Sequence, residues 1–376
     1  MLRTVMIAGV VFVHAACDNR ITGMGDGLLN HLMGFFNYAF FRASVPLLAL
    51  ISGYLLFVAN LDQTPFKLWA KKAKTVALPF FVFNLAAIIC FYELQKYFPS
   101  IILRFDLLNA GRYDWINAIF GVRDAPFNYP LYFMRDILAL VALAPLFGWF
   151  IRTMPALGLV AVIIIFYFNF DSYLVIRSTS AIMFYVGGLL AVKQCDVLKL
   201  DDFAAPMLAL FVVICLTIVA LDIDDINYAA LTGPFLIWPA SKYLAGTKVG
   251  QFFARSAKYS FFIFIAHAPI LHLMQVAYMA NFQTHVPYFA FWLVAPTVIM
   301  AGLVIIYDGA MKCLPTVFPL AIGGRTGKAS LAYAERRRAP RPAGAPIYSE
   351  EMRNRLRLAS LQHWITEPGS QTLRAE

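Results

Sequence analysis

The sequence predicts an all-α, polytopic integral membrane protein of about ten transmembrane helices, and three observations carry that prediction. Of its 376 residues, 61% are apolar, and the mean hydropathy of +0.69 lies far above that of a water-soluble globule of this length. Apolar runs recur at the ~20-residue length that a helix needs to cross a hydrocarbon core. Basic residues collect in alternate connections, the pattern that sets orientation in a bilayer. A formal charge of +10 also suits a nucleic-acid partner. Its distribution instead fits topology and contact with anionic lipid, so a lipid bilayer and no nucleic acid is expected.

The first run, MLRTVMIAGVVFVHAACDNR, predicts a helix over about 3–17 that carries Arg3 and His14. At about 100° per residue, the step between them returns to nearly the same azimuth, roughly three turns and 16 Å further along the axis. A cation thus sits near one membrane surface while an imidazole on the same stripe reaches into the apolar layer. A lone His in an apolar helix is commonly a packing residue. An Arg in phase with it makes the pair read as functional, because ionisable groups in a membrane are expensive. The run lacks a small-x-small cleavage site and many spans follow, so it is read as a retained helix.

Further helices are expected at about 38–60, 75–97, 130–151, 155–170, 173–192, 204–221, 226–243, 259–280 and 288–312. The second holds Arg42 at its start and Ser52-Gly53 near its end. The third follows the basic run KLWAKKAKTVALPFF, in which Lys71 and Lys74, three apart, share a helix face. Residues 98–129 then form a long connection, either a functional lid or a flexible surface segment, whose Trp115, Ile119 and Phe120 suit a short interfacial helix. Arg135 and Asp136 open the fourth span, as a substrate contact or as a helix staple. Arg177 precedes STSAIMFYVGGLLAVK, whose aromatic-x-x-Gly pattern permits close helix approach. In KYSFFIFIAHAPILHLM, His267 falls mid-span beside Pro269, which loosens the local backbone bonding, and His272 reads as structural.

The loops with Lys67, Lys71, Lys72 and Lys74, with Arg152, with Lys193 and Lys199, and with Lys242, Lys248, Arg255 and Lys258 are the basic set. The opposite set includes the turn with Asp222, Asp224 and Asp225, so the bias gives N-inside and C-inside. Residues 1–325 form the membrane domain. Residues 326–376, with Arg336-Arg337-Arg338 and scattered prolines, read as a basic cytoplasmic tail, disordered or lying on the inner leaflet. Cys17, Cys90, Cys195, Cys215 and Cys313 lack metal-ligand spacing and read as small core residues, so neither a metal site nor a disulfide framework is expected.

Arg, ten residues and His in a first helix, then a helix reading VP-x-x-x-x-ISGY, together resemble the acyltransferase-3 family of membrane O-acyltransferases. The likeness continues through the Lys71–Lys74 pair with Pro79, through YPLYFMRD, through the helix after Arg177 and through SFFIFIAHAP, and so covers about 1–325. The lead-in to Arg3, two residues, is shorter than in the family. The family acylates sugars of exported polysaccharides, lipopolysaccharide and related carriers. The resemblance therefore implies an acyl-CoA donor from the cytoplasmic side and no bound cofactor. It also implies a lipid-linked oligosaccharide or polysaccharide acceptor and a bacterial inner-membrane location, with other polysaccharide-assembly proteins as partners. The length, the basic tail and PLYFMRD look most like members that succinylate their polysaccharide, so succinyl-CoA is expected ahead of acetyl-CoA.

The chemistry agrees with that implication. A sugar hydroxyl needs a base as it attacks a thioester, and imidazole, with an ordinary pKa near 6.5, suits the task. His14 is the expected base and Arg3 its catalytic partner, better placed to hold the donor than to touch the reacting carbon. Ser52, Gly53, Lys71, Lys74, Arg42, Arg135, Arg177 and His267 are the expected substrate-binding residues, Lys71 and Lys74 for phosphates and Arg42 and Arg177 for a free carboxylate. The absence of a Gly-x-Ser-x-Gly elbow argues against a covalent serine site. Two rival readings use the same residues without this chemistry: a glycolipid transporter or flippase, and an inactive member of an assembly complex. Inverted-repeat symmetry, which a transporter commonly has, is not evident.

Overall fold

The computed structural model describes residues 1–16, 27–225 and 227–324, so the expectations for Cys17 and the tail 326–376 lie outside the described residues. The described residues are helical and contain no strand. The first helix, α1 (Leu2–His14), holds Arg3 and His14 as expected. The next two rods are longer than hydropathy indicated. α2 runs from Leu28 to Val58 because a π turn at Phe35–Ala39 and a 3-10 turn at Phe40–Ala43 interrupt the helix without ending it. α3 (Pro65–Tyr97) starts on a proline that needs no amide partner and absorbs the basic run, with a π turn at Ala73–Ala77.

After the short α4 (Arg112–Phe120) come α5 (Tyr129–Thr153), α6 (Pro155–Tyr167), α7 (Ser178–Val192) and α8 (Val197–Ala220). Then follow α9 (Asn227–Ile237), α10 (Lys248–Arg255), α11 (Ala257–Asn281) and α12 (Tyr288–Cys313). Six of these, α2, α3, α5, α8, α11 and α12, are long and apolar enough to cross a membrane, while α1, α6 and α7 are shorter apolar helices. Length and apolarity alone thus support six crossings, against about ten expected. The span expected over 226–243 is broken: α9 stops at Ile237 and a separate 3-10 turn covers Pro239–Tyr243, since Pro239 has no N–H to continue the α ladder.

The most extensive helix pairing joins α2 to α7. A Cβ on Gly53 would run into the Phe184 carbonyl, and one on Gly187 into the Leu50 carbonyl. The backbones meet there because neither helix carries a side chain at the crossing, as membrane helices do when small residues interleave. At the other side of α5, Arg152 forks onto the buried Asp62 at 2.5 and 3.3 Å, joining α5 to the turn between α2 and α3. One expectation is corrected: among the described cysteines Cys215 is buried, whereas Cys90, Cys195 and Cys313 are exposed. A small, weakly polar thiol costs little on the outward face of a lipid-embedded helix, as at Cys90, and Cys195 lies in the connection after α7, so an apolar surrounding sequence did not imply the core.

The connection 98–129 is a packed hood with its own core. Leu107, Ala118 and Phe127 bury against Ala87, Ile88 and Phe91 of α3. Two α3 amides hold it: Asn84 donates to the carbonyls of Ala118 (2.8 Å) and Ile119 (3.0 Å), and Gln95 accepts from the Leu107 amide at 2.8 Å. At its exposed edge the Asn109 side chain donates to Asp106, which holds that carboxyl below the usual carboxylate range. The expected short helix near Trp115 is α4.

Candidate functional site

The structure gathers aromatic and imidazole rings around the C-terminal end of α1. The His14 ring stacks on His267 of α11, centroids 5.5 Å apart, and meets Tyr129 edge-on at 4.8 Å. His267 is fully buried, and its Nδ1 lies 3.0 and 2.9 Å from the carbonyl oxygens of Ile263 and Phe264. Carbonyl oxygens only accept, so Nδ1 carries the proton and Nε2 keeps a lone pair. That Nε2 has no hydrogen-bond partner among the described residues.

Long-range bonds fix the backbone on both sides of this pair. The last carbonyls of α1, left open by the end of the helix, are covered from α11 and α12. Tyr288 donates to the Ala15 carbonyl at 2.9 Å, and Gln275 lies 3.3 Å from the Ala16 carbonyl and 3.2 Å from the Tyr288 hydroxyl. Pro269 removes the amide that would have bonded the Ile265 carbonyl. Asn128 of the hood takes its place, donating from its side chain to that carbonyl at 3.0 Å. The Asn128 amide in turn donates to the Asn84 side chain at 2.9 Å. This relay seats the next residue, Tyr129, against His14.

Arg3, at the opposite end of α1, faces a different surrounding. It lines a partly open cavity together with Ser52 and Lys72. The remaining wall is apolar: Ile7, Leu48, Leu55, Leu56 and Leu61 on one side, Phe133, Met134, Ile137, Phe261 and Phe264 on the other. Ser52 donates its hydroxyl proton to the Leu48 carbonyl at 2.7 Å, leaving oxygen lone pairs toward the cavity. Gly53, the next residue, serves the α2–α7 crossing. The expected phosphate pair does not reach this space, since Lys74 is exposed, Lys71 is half-buried, and neither lines the cavity. Lys72 does line it, and is 8% exposed.

The three arginines divide in two. Arg135 is consumed as a staple: its guanidinium reaches Asp136 at 3.1 Å and the carbonyls of Leu174 at 2.8 Å and Tyr173 at 2.5 Å. Asp136, fully buried, accepts the amides of Ile176 (2.9 Å) and Arg177 (3.0 Å) and so anchors the start of α7. Arg42 and Arg177 lie within electrostatic range of His14. Arg42 keeps one bond, Nε to the Asn37 carbonyl at 2.8 Å, and sits 5.5 Å from the Tyr38 ring centroid. Arg177 is exposed and sits 5.7 Å from the Tyr132 ring centroid.

Sequence reasoning missed Lys72, Tyr129, Asn128, Gln275 and Tyr288. Lys72 stood in a basic run whose neighbours were chosen instead. Tyr129 and Asn128 directly precede the PLYFMRD stretch, but nothing local ties them to the first helix.

Against known proteins, the Acyltransferase domain model of the acyltransferase-3 family matches residues 1–308. The chain is 29% identical over 347 residues, 88% of this chain and 93% of the relative, to the succinoglycan biosynthesis protein ExoH of Rhizobium meliloti (strain 1021). No solved structure matches. With the matched residues running from the Arg3–His14 helix into the last long span, the chain belongs to the acyltransferase-3 family and is an acyltransferase.

Proposed function

We propose that this acyltransferase moves an acyl group, succinyl ahead of acetyl, from acyl-CoA to a sugar hydroxyl of an exported polysaccharide or its lipid-linked precursor. The observation that carries this reading is the single helix whose one end meets a cationic cavity and whose other end meets a stacked pair of imidazoles. Arg3 and Lys72 attract the donor's phosphates, and the apolar wall takes its uncharged arm. At the far end His14 acts as general base with His267 beside it. The sugar oxygen attacks the thioester carbonyl, the C–S bond breaks and a C–O ester bond forms. The hydroxyl proton passes to His14 and leaves on the CoA thiol. Arg42 and Arg177 hold the distal carboxylate of a succinyl group, whose burial without a cation would cost several kcal/mol. Similarity to a succinoglycan biosynthesis protein supports the polysaccharide acceptor.

The basic-loop bias supports N-inside, C-inside insertion in a bacterial inner membrane, which sets the cavity on the cytoplasmic side. Purified protein in detergent should release CoA thiol from succinyl-CoA when supplied with an unacylated oligosaccharide, and the sugar should gain the acyl mass. Failure of the sugar to gain that mass from either succinyl-CoA or acetyl-CoA overturns the reading in favour of transport or assembly.

A further inference from the structure

Neither His14 nor His267 lines the cavity. A chain of ring contacts leads from one to the other. Phe264 lines the cavity, and its ring centroid lies 6.4 Å from that of His267, one turn further along α11. Phe133 of α5, also a cavity residue, meets Phe264 edge-on at 6.0 Å. Both rings are buried, Phe264 4% and Phe133 9% exposed. The Phe264 carbonyl is one of the two acceptors that hold the His267 Nδ1 proton. One residue therefore lines the cavity with its side chain and fixes the adjacent imidazole with its backbone.

We propose that Phe264, backed by Phe133, is the specificity-determining partition of the reaction. The acyl-bearing end of the donor meets His14 only past the Phe264 ring, which sets the length of acyl group admitted and keeps water from the thioester. The proposal rests on the acyl-CoA reading above and deepens it. An aromatic wall suits this position because its neighbours are apolar and its ring turns about two torsions, so it yields to a thin acyl chain without a backbone movement. Water that reached the activated carbonyl would compete with the sugar: the C–S bond would break, a C–O bond to water would form, and free acid and CoA thiol would leave.

The test compares wild type with Phe264→Leu, Phe264→Trp and Phe133→Leu across acetyl-, propionyl-, butyryl- and succinyl-CoA, reading both transfer to oligosaccharide and thiol release without acceptor. Because one methylene in an apolar pocket changes discrimination by about tenfold or more, Phe264→Leu should shift kcat/KM toward the longer acyl groups by about that factor. It should also raise acceptor-free hydrolysis relative to transfer. Phe264→Trp should shift the series the opposite way, and Phe133→Leu should follow Phe264→Leu with a smaller change. In an active enzyme, an unmoved acyl series together with an unmoved hydrolysis ratio overturns the partition and leaves Phe264 as packing. Absence of transfer by wild type from every donor overturns the acyl-CoA reading itself, and the partition falls with it.

Discussion

Arg3 and His14 share one helix and one stripe, yet the two ends of that helix are built by opposite means. Around His14 nearly every fixing contact comes from elsewhere in the chain. Tyr288 and Gln275 cover the helix's last carbonyls, Asn128 fills the acceptor that Pro269 leaves open, and His267 brings a ring held by two carbonyls. Around Arg3 the walls are leucine, isoleucine, methionine and phenylalanine, with long cationic side chains and an opening to solvent. One end holds groups to a fixed position, as a reacting centre needs. The other offers charge and volume, as a site for a large anionic molecule needs. The difference teaches where substitutions should change kcat and where they should change KM.

The largest effect is expected at the fixed end. His14→Ala should lower kcat by roughly 10²–10⁴-fold, the contribution of one general base, while expression and thermal stability in detergent stay near wild type. Near-normal kcat in that variant would move the base elsewhere, with His267 next in line. The arginines near His14 should come second. Arg42→Gln and Arg177→Gln should each reduce the preference for succinyl-CoA over acetyl-CoA by about 10–100-fold, the worth of a charge-assisted hydrogen bond. Arg135→Gln should instead lower stability with little change of preference, because its partners are Asp136 and loop carbonyls.

At the open end the sign of the comparison reverses. Lys72→Gln should raise the donor KM by about tenfold, with a smaller loss of kcat, because a phosphate contact is made alike in ground and transition states. Added salt should shrink the difference from wild type. Lys71→Gln and Lys74→Gln should each do less, and the reverse order would place the donor's phosphates outside the cavity. The smallest effect is expected of the relay that seats Tyr129. Asn128→Ala strands the Ile265 carbonyl, while the backbone bond to the Asn84 side chain stays, and should cost about 1–3 kcal/mol of stability, read as a lower melting temperature in detergent. A fall in kcat larger than the fall in stability would make Tyr129 a participant in the chemistry.

Much of the scaffold was readable residue by residue. Helix positions follow from hydropathy and length, because a spanning helix must satisfy its own backbone in an apolar medium. The common face of Arg3 and His14 follows from helical periodicity, a property of the local backbone. The close approach at Gly53 and Gly187 follows from residue size. The same logic failed wherever the helix was irregular: α2 and α3 continued through π turns that hydropathy does not register, and α9 stopped short at Pro239.

What the sequence determined by itself is thus the all-helical, apolar character of the chain, the two ionisable groups on its first helix, and the family motifs they belong to. Only the tertiary structure decided which cations were spoken for. Arg135 and Arg177 are both arginines near helix starts, and nothing local distinguishes them, yet one is tied by Asp136 and loop carbonyls while the other is exposed. Likewise Lys72 rather than Lys71 or Lys74 enters the cavity, and His267, Tyr129 and Phe264 meet near one end of α1. The physical reason is common to all of these. Apolarity and periodicity are properties of neighbouring residues, whereas the partner that satisfies a buried donor or acceptor comes from wherever packing brings another segment of the chain.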